Sequence, residues 1–295
     1  MLAAAGVVGA VVIASASAAP EPVAKIKVGA SSGMVLSAAD SVWTTDLVIP
    51  RLVRVDPASN AVVKRIKVGR RPFGLAFGAR SLWVSDRSLN RLTRINPRTG
   101  KVQARIKIGF NSYGLAFGAG SVWVTSESDR TLRRINPKRS RVASRIRAGA
   151  QPNGVVYAFG AIWVADLGGG KVLKVDARRN KVVAHYDVPK ADWITPSADA
   201  LWVSSEANEV VRLDPATGAV QARIPVGANP LASAWVAGEL WVPNIDDGTI
   251  SVIDPARNAV RTTLTVGQGP LAVAEVGGDA WVSNSTDGEL WRVRP

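Results

Sequence analysis

The stretch GLAFGAGSVWVTSESDRTLRRINP, residues 114–137, nearly repeats GLAFGARSLWVSDRSLNRLTRINP, residues 74–97. The same pattern returns along almost the whole chain, and one tryptophan marks the centre of each copy. The marker tryptophans are Trp43, Trp83, Trp123, Trp163, Trp202, Trp241 and Trp281. Neighbouring markers are 39 or 40 residues apart. A fixed period of this size is typical of repeat proteins, and it constrains the fold before any other feature does.

Each unit contains four short apolar segments. In the second unit they are GLAF from Gly74, LWVS from Leu82, RLTRI from Arg91 and KVQARIKI from Lys101. Segments of this length, rich in Val, Ile, Trp and Thr, predict strands. Turn sequences such as DPASN and NPRTG join the third segment to the fourth. Asp and Asn accept backbone hydrogen bonds, Pro fixes φ, and a final Gly or Asn tolerates positive φ, so we predict a hairpin loop with a bulge.

The fourth segment predicts an outer strand. In KVQARIKI, apolar residues from Val102 to Ile108 alternate with polar residues from Gln103 to Lys107, so one face is dry and the other wet. Pro225 falls on the wet face of the equivalent segment, as expected on an edge strand. The first two segments carry almost no charge and are predicted to lie inside. Four strands per unit in this arrangement are typical of a β-propeller blade.

The ends of the chain distinguish a closed ring from an open β-solenoid of the same period. The seventh unit stops at ELWRVRP, after its third segment, whereas VAKIKVG from Val23 is an additional fourth segment. We therefore predict an all-β fold, a seven-bladed β-propeller with four antiparallel strands per blade, whose last blade is closed by the N-terminal strand. Closure removes exposed strand edges, and we expect a monomer in which residues 20–295 form a single domain.

The first residues predict export. The leader MLAAAGVVGAVVIASASAAP is uncharged and ends in small residues that fit an A-x-A cleavage site, but it lacks a basic n-region. Residues 1–19 are therefore either a cleaved signal peptide or a membrane anchor, with the protein extracellular, periplasmic or at the cell surface. The chain contains no cysteine, which is compatible with this location.

The net charge of +14 is concentrated on part of the outer wall. Residues 91–107 carry six Lys or Arg and no acid, and residues 131–147 carry seven and no acid. We identify Arg133, Arg134, Arg141 and Arg145 as candidates to bind a polyanion such as an anionic cell-wall polymer. The alternative is a solvated rim that provides solubility. Export and the lack of interleaved exposed aromatic residues argue against a nucleic-acid partner.

The repeats resemble those of a known group of propellers. GLAFGAGSVWVT, followed by INP or DPATGAV, is similar to the YVTN-type repeat proteins and equally to the streptogramin B lyase-like propellers, over residues 21–295. The lyase resemblance implies elimination on a cyclic depsipeptide with a magnesium ion and histidines at one face of the ring. The single histidine here, His185, lies in the outer segment KVVAHYDV, so no catalytic histidine carries over. We predict no catalytic residue and no cofactor; a lyase or hydrolase that uses carboxylates and a divalent cation is the alternative.

One set of candidate binding residues follows the marker tryptophan. Three residues after it, every unit carries a small polar residue, among them Asp46, Asp86 and Asp166. Such residues either cap the turn that leaves the second strand or form a polar ring that could hold a cation or a sugar at the channel mouth. Both interpretations remain open from the sequence.

A second set lies ten residues before the tryptophan, where the units differ from one another. Phe73, Tyr113, Asn153 and Asp192 occupy this position, and Arg71 and Asn111 lie beside it in the same loops. One position further on, Trp193 replaces the usual small residue, either to line the mouth or to plug it. A residue that the fold needs should recur in every unit, whereas a binding residue need not. We therefore predict a non-catalytic propeller that binds a small ligand or a protein partner at this mouth.

Overall fold

The structure, a computed structural model, describes residues 20–295, so the predicted signal peptide or anchor at residues 1–19 lies outside the described residues. In the described part, all regular secondary structure is strand, arranged as seven sheets of four antiparallel strands. The inner strands of most neighbouring sheets pack against each other in chain order. The predicted seven-bladed β-propeller is therefore confirmed.

Within residues 20–295 the strands are numbered in chain order. Blades 1 to 4 contain β2 Ser32–Ser37, β3 Val42–Asp46, β4 Arg51–Asp56, β5 Ala61–Lys67, β6 Pro72–Gly78, β7 Ser81–Asp86, β8 Arg91–Ile95, β9 Val102–Lys107, β10 Ser112–Gly118, β11 Ser121–Ser126, β12 Thr131–Asn136, β13 Arg141–Arg147, β14 Pro152–Ala158, β15 Ala161–Asp166, β16 Lys171–Asp176 and β17 Lys181–Asp187. Blades 5 to 7 contain β18 Ala191–Pro196, β19 Leu201–Ser205, β20 Glu209–Leu213, β21 Val220–Pro225, β22 Ala234–Val236, β23 Glu239–Asn244, β24 Thr249–Asp254, β25 Ala259–Thr265, β26 Pro270–Val276, β27 Asp279–Asn284, β28 Glu289–Arg294 and β1 Glu21–Lys27.

The last blade is closed by the N-terminal strand, as predicted. β1 pairs antiparallel with β28, so that Ile26 lies opposite Leu290, and the sheet order is β1-β28-β27-β26. The side chain of Arg292 crosses to blade 1, where its Nη1 donates to the carbonyl of Pro57 at 2.9 Å and to Asn60 Oδ1 at 3.1 Å. Backbone pairing and this side-chain link together join the two ends of the chain.

The marker tryptophans explain why the second strands lie inside. All seven are fully buried, in β3, β7, β11, β15, β19, β23 and β27. In five blades the indole N–H donates to the turn that leads into its own strand; Trp123 Nε1, for example, donates to the carbonyl of Gly118 at 3.0 Å. Because a buried tryptophan needs a partner for this donor, the residue fixes the hairpin as well as filling the space between blades.

The predicted bulges follow the third strands. In blade 4, Asp176 Oδ1 accepts the backbone N–H groups of Arg178 and Arg179 at 2.8 and 3.0 Å, and Asn180 ends the turn with a φ of 55°. The pairing between β16 and β17 then shifts register between Lys174 and Val175. An equivalent shift occurs between the third and fourth strands of blades 1, 2, 3, 5 and 6, in which these two strands are consecutive in the chain.

A second bulge, which the sequence did not reveal, shapes the channel mouth. In blade 2, Pro72 pairs with Asp86 and Leu75 pairs with Val84, so Phe73 and Gly74 are left without partners on the second strand. A Cβ atom on Gly74 would lie 2.2 Å from the carbonyl oxygen of Tyr113 in the next blade, so only glycine allows the inner strands to pack this closely. The bulge therefore directs the neighbouring side chain toward the mouth.

Blades 5 and 6 depart from this close packing. Trp193 occupies the position of Gly74, and blade 6 has a short inner strand that begins only at Ala234. Ala232 bonds forward to blade 7 instead, with its N–H donating to the carbonyl of Leu271 at 3.2 Å. A large side chain is therefore accommodated at the one junction where the following inner strand starts late.

Candidate functional site

A cavity of about 260 Å³ opens at the channel mouth, and it receives side chains from every blade. Its walls are formed by Met34, Phe73, Arg87, Tyr113, Gln151, Asn153, Leu167, Asp192, Trp193, Glu206, Asn229, Leu231, Ala232 and Leu271. Blades 1, 6 and 7 contribute an apolar wall that is interrupted by Asn229, whereas blades 2 and 5 contribute all of the charged side chains. A mostly apolar concavity with a few converging polar groups is the usual form of a small-molecule site.

Five of the predicted binding residues meet in this cavity. They are Phe73, Tyr113, Asn153, Asp192 and Trp193. All five lie at the inner-strand bulge, which is why residues separated by 40 positions in the chain come together in space. The prediction rested on variation between units, and the structure places these variable positions around one cavity.

Hydroxyl groups of the second strands hold this part of the backbone in place. Two residues after the marker tryptophan, Thr125 Oγ1 donates to the carbonyl of Asn153 in the next blade at 2.6 Å. Thr45 Oγ1 donates in the same way to Phe73 at 3.1 Å, and Ser204 Oγ to Leu231 at 2.9 Å. These buried hydrogen bonds fasten the cavity-lining residues of one blade to the blade before it.

Asp46, Asp86 and Asp166 do not line the cavity; all three are buried turn caps. Asp86 accepts the backbone N–H groups of Arg71 at 3.0 Å, Ser88 at 2.8 Å and Leu89 at 2.7 Å. Burial raises the pKa of Asp86, but the backbone hydrogen bonds outweigh it and the pKa is lowered overall. The turn-cap interpretation therefore accounts for these residues, and their carboxylate oxygens point at the backbone instead of the mouth.

Arg71 and Asn111 also lie outside the cavity wall. Arg71 is exposed and lines a separate crevice with Leu47 and Val48 at the junction of blades 1 and 2. Asn111 stands behind the wall, where its Oδ1 accepts from Arg87 Nε at 3.2 Å and its Nδ2 donates to Glu127. Asn111 thus orients a residue of the cavity without lining it.

Arg87 is the main site residue that sequence reasoning missed. Its guanidinium lies 4.0 Å from the ring centroid of Tyr113 and 5.1 Å from that of Phe73, and it donates to the Tyr113 hydroxyl. The two rings meet edge to face at 5.0 Å. Burial raises the pKa of Tyr113, so the phenol remains neutral and accepts from Arg87. Stacking on two rings fixes the cation at the blade 2 side of the mouth.

A signal for Arg87 was present in the sequence. It lies four residues after the marker tryptophan, and so do the cavity residues Leu167 and Glu206. This position varies as strongly between units as the one ten residues before the tryptophan. The full set is Leu47, Arg87, Glu127, Leu167, Glu206, Ile245 and Ser285. Variation at this position therefore indicates three further residues of the wall, although the other four members of the set do not line the cavity.

Acidic groups gather on the side of the cavity formed by blades 4 and 5. Asp192 is buried, and its Oδ1 accepts Asn153 Nδ2 at 2.7 Å. Burial, and then the charges of Glu206 and Glu127, raise the pKa of Asp192 to about 6 against the opposing hydrogen bond from Asn153. Asn153 is itself 95% buried, and its Oδ1 has no hydrogen-bond partner within residues 20–295. This side of the cavity therefore presents hydrogen-bond acceptors in excess of donors.

The structure corrects the placement of two of the four predicted rim arginines. Arg133 is buried, with Nη1 donating to Ser126 Oγ at 2.7 Å and Nη2 paired with Asp129. Blade 3 has Ser126 where blades 1, 2 and 4 have a capping aspartate, and the Arg133 guanidinium fills the space that the smaller serine leaves. Arg134 is half-buried and donates to Ala177 O at 2.8 Å in the next blade. Neither side chain is presented to a polyanion.

Arg141 and Arg145 are exposed on the outer strand β13, as predicted. Their role in binding a polyanion stays a prediction. Arg134, by contrast, belongs to a repeated link between blades, because Arg94, Arg212 and Arg292 make equivalent bonds to the following blade. Its guanidinium also lies 5.4 Å from the centroid of Trp123.

The contrast between Arg134 and Arg141 gives a matched pair of variants. We expect Arg134→Ala to lower the free energy of unfolding by about 1–2 kcal/mol, because it removes interblade hydrogen bonds and a cation–π contact. Arg141→Ala removes the same charge and should stay within about 0.5 kcal/mol of the parent. Urea unfolding measures both. Equal stability of the two variants would contradict the interblade role of Arg134.

The predicted polyanion site on the rim has a separate test. If Arg141→Ala and Arg145→Ala bind polyphosphate as tightly as the parent, these two residues do not form a polyanion site.

The cavity does not provide the histidines that the lyase resemblance implies. His185 is exposed on the outer strand β17, at the periphery of blade 4. In the part of the chain that the structure describes, no group of three or more His, Cys, Asp or Glu side chains is placed to hold a metal ion. The residues present therefore do not fit a magnesium–histidine centre, and we derive no step through one. Residues 20–295 form no helix that could span a membrane.

Comparison with known proteins shows the fold. A chain of the Kuenenia stuttgartiensis hydrazine synthase is similar in structure, with a TM-score of 0.80 and 13% sequence identity over 90% of this chain and 96% of that chain. No family model matches the chain, and no curated protein matches it either. Because 1585 chains of solved structures match, the propeller fold by itself selects no function, and function has to be argued from the cavity.

Proposed function

We propose that this protein is an exported, non-catalytic β-propeller of the YVTN-type, streptogramin B lyase-like group that binds a small ligand in the cavity at the channel mouth. One observation carries the proposal. The positions at which the repeats differ are the positions that line the cavity, whereas the positions that hold the blades together recur. A cavity built from unlike residues on a symmetric frame is suited to one asymmetric ligand.

The dimensions and chemistry of the cavity favour a small molecule. A volume of about 260 Å³ is slightly below the usual range for drug-sized ligands. Met34, Leu231 and Leu271 form an apolar wall for the body of such a ligand, and Arg87 and Asp192 stand at separate points of the ring to orient it. The leader with its A-x-A pattern supports export, and the repeat sequences support the proposed group.

The proposal is tested by a thermal-shift screen of residues 20–295 against small molecules at low and high salt. A ligand at about one hundred times its Kd should add roughly 2.7 kcal/mol of stability. We expect some small molecules to stabilise the protein at both salt concentrations. The same compounds should not stabilise Leu231→Trp, because the larger side chain fills the cavity. Val183→Trp, on the exposed face of an outer strand, is the matched control and should still be stabilised by them. Hits that bind Leu231→Trp equally well, or a complete lack of hits, would contradict a ligand site at the mouth.

A second candidate function rests on Asp192. A carboxyl whose pKa is raised to about 6 inside a cavity is suited to act as a general acid or base, and the neutral Tyr113 hydroxyl lines the same cavity. This favours a lyase or hydrolase that works through carboxylates. Incubating each thermal-shift hit with the protein, with and without magnesium, distinguishes the two functions. Conversion of a hit that Asp192→Asn abolishes would establish an enzyme; recovery of every hit unchanged supports a binding protein.

A further inference from the structure

The polar groups on the acidic side of the cavity indicate the class of ligand better than the cavity volume does. Asn153 Oδ1 is an acceptor without a partner within residues 20–295, although the residue is 95% buried. Leaving such a group unpaired destabilises the folded protein, so it indicates a missing donor. The orientation of the amide is fixed by its neighbour, because Nδ2 donates to Asp192 at 2.7 Å and the flipped amide would place two acceptors together.

The charges around this acceptor have the same sign. The charged groups that act on Asp192 are Glu206 and Glu127, and both disfavour its ionised form. No salt bridge within residues 20–295 involves Asp192 or Glu206. Arg87, the cation of the cavity, comes from blade 2, where Tyr113 and Asn111 hold its guanidinium, and in the described part of the chain it forms no salt bridge with Asp192 or Glu206. A cation that arrives beside a buried carboxylate among acids stabilises its ionised form.

From these observations we infer that the cavity binds a ligand through a protonated amine, whose ammonium group donates to Asp192 and Asn153 while an apolar body packs on Leu231 and Leu271. This inference rests on the proposed function, because it names the ligand class of the same cavity. An ammonium group has three donors, which can satisfy Asp192, Asn153 Oδ1 and Glu206 together. Charge-assisted hydrogen bonds of this kind are about twice as strong as neutral ones. The cavity should therefore prefer an amine to a neutral or anionic ligand with the same apolar body.

The shape of the cavity supports the same ligand class. Trp193 is half-buried, lines the cavity and packs against the hydrophobic cluster that contains Met34 and Leu271. An aromatic face beside carboxylates favours an organic cation over a hydrated metal ion. The ammonium group can belong to a free amine or to a lysine side chain of a peptide, since both present the same donors on an apolar stem.

Calorimetric titration with matched probes tests the inference. Phenethylamine, phenethyl alcohol and phenylacetate share one apolar body and differ in the polar group. We expect phenethylamine to bind at least about tenfold more tightly than the alcohol, and phenylacetate to bind most weakly. A lysine residue blocked at both ends serves as the peptide probe, and its affinity relative to phenethylamine identifies the source of the amine.

Two variants assign the selectivity to the site. Asp192→Asn keeps an oxygen that can accept from Asn153 but removes the charge, so the preference for the amine should fall to near unity. Asp246→Asn, which removes the same charge from an exposed residue of the same face, should keep the preference. An unchanged preference in Asp192→Asn, or equal affinity for amine and alcohol, overturns the inference. If phenethyl alcohol or phenylacetate still binds in that case, and Leu231→Trp prevents this binding, the proposed small-molecule site stands without the amine preference. If none of the probes binds, the amine inference is wrong, and the thermal-shift screen tests the proposed function separately.

Discussion

A chain shortened to residues 28–295 is expected to be unfolded or aggregated under conditions in which residues 20–295 fold. The truncation removes β1, which forms the outer edge of the last blade and pairs with β28 over its whole length. The loss of about six ladder hydrogen bonds and of the buried Ile26 side chain amounts to roughly 5–10 kcal/mol, which is comparable to the whole stability of a typical domain. The exposed edge of β28 would also be available for pairing with other chains. Circular dichroism and size-exclusion chromatography measure both effects.

A circular permutant distinguishes ring closure from a mere need for chain length. In the permutant, residues 28–293 are followed by a DPATG turn, as in residues 214–218, and then by residues 21–27. The antiparallel register of β1 against β28 is the one that such a turn produces in the other blades. We expect the permutant to recover most of the lost stability. A stable truncated chain, or a permutant that fails to fold, would show that the terminal strand does not close the ring as the structure indicates.

Asp192→Asn is expected to stabilise the protein at neutral pH and to have little effect in acid. Burial, with Glu206 and Glu127, raises the pKa of Asp192 to about 6 from 3.8. Between these two values the folded chain keeps the proton that the unfolded chain has lost, so the free energy of unfolding falls as the pH rises. Because asparagine has no charge to bury, the stability advantage of the variant should grow by about 2 kcal/mol between about pH 4 and pH 7.

The difference between variant and parent isolates Asp192 from the other titrating groups. Asp86, whose pKa is lowered, gives stability that is lost in acid, and it contributes equally to both proteins. Arg87 and Tyr113 face the same cavity and are unchanged in the variant. Urea unfolding at a series of pH values measures the difference. Asp246→Asn, which removes a charge from an exposed residue of the same face, is the control for a change in net charge alone. A difference between Asp192→Asn and the parent that does not change with pH would show that the Asp192 carboxyl is not disfavoured by burial.

Stability and ligand binding are expected to be coupled at Asp192. If Asp192 destabilises the folded protein and Asp192→Asn also loses amine binding, the carboxylate is a residue that serves the ligand at the expense of the fold. An amine that binds beside it should restore the stability that burial of the charge removes. Stability and affinity would then change in opposite directions in one variant, which is not expected for a residue that only packs the channel.

The strands, the blade count and the closure could be predicted because they depend on local and periodic signals. Alternation in KVQARIKI places one face in water, the DPASN-type turns set the hairpins, and VAKIKVG matches a missing fourth strand. The variable position of Phe73 and Asp192 was also accessible, since a sevenfold repeat provides its own comparison. Each of these signals is contained within one unit or in the distance between units.

Several features of the site were decided by packing between blades, which no single unit encodes. The bulge at Gly74 depends on the carbonyl of Tyr113 in the next blade, and it determines which side chains point into the mouth. Arg133 resembled a rim residue, yet a serine at the neighbouring cap position leaves space that buries it. Periodicity, turn chemistry and closure of the ring were thus contained in the sequence, whereas the direction and burial of individual side chains followed from the surface of the adjacent blade. The physical reason is that strand pattern is a property of nearby residues, while a side chain's environment is set by contacts about 40 residues away in the chain.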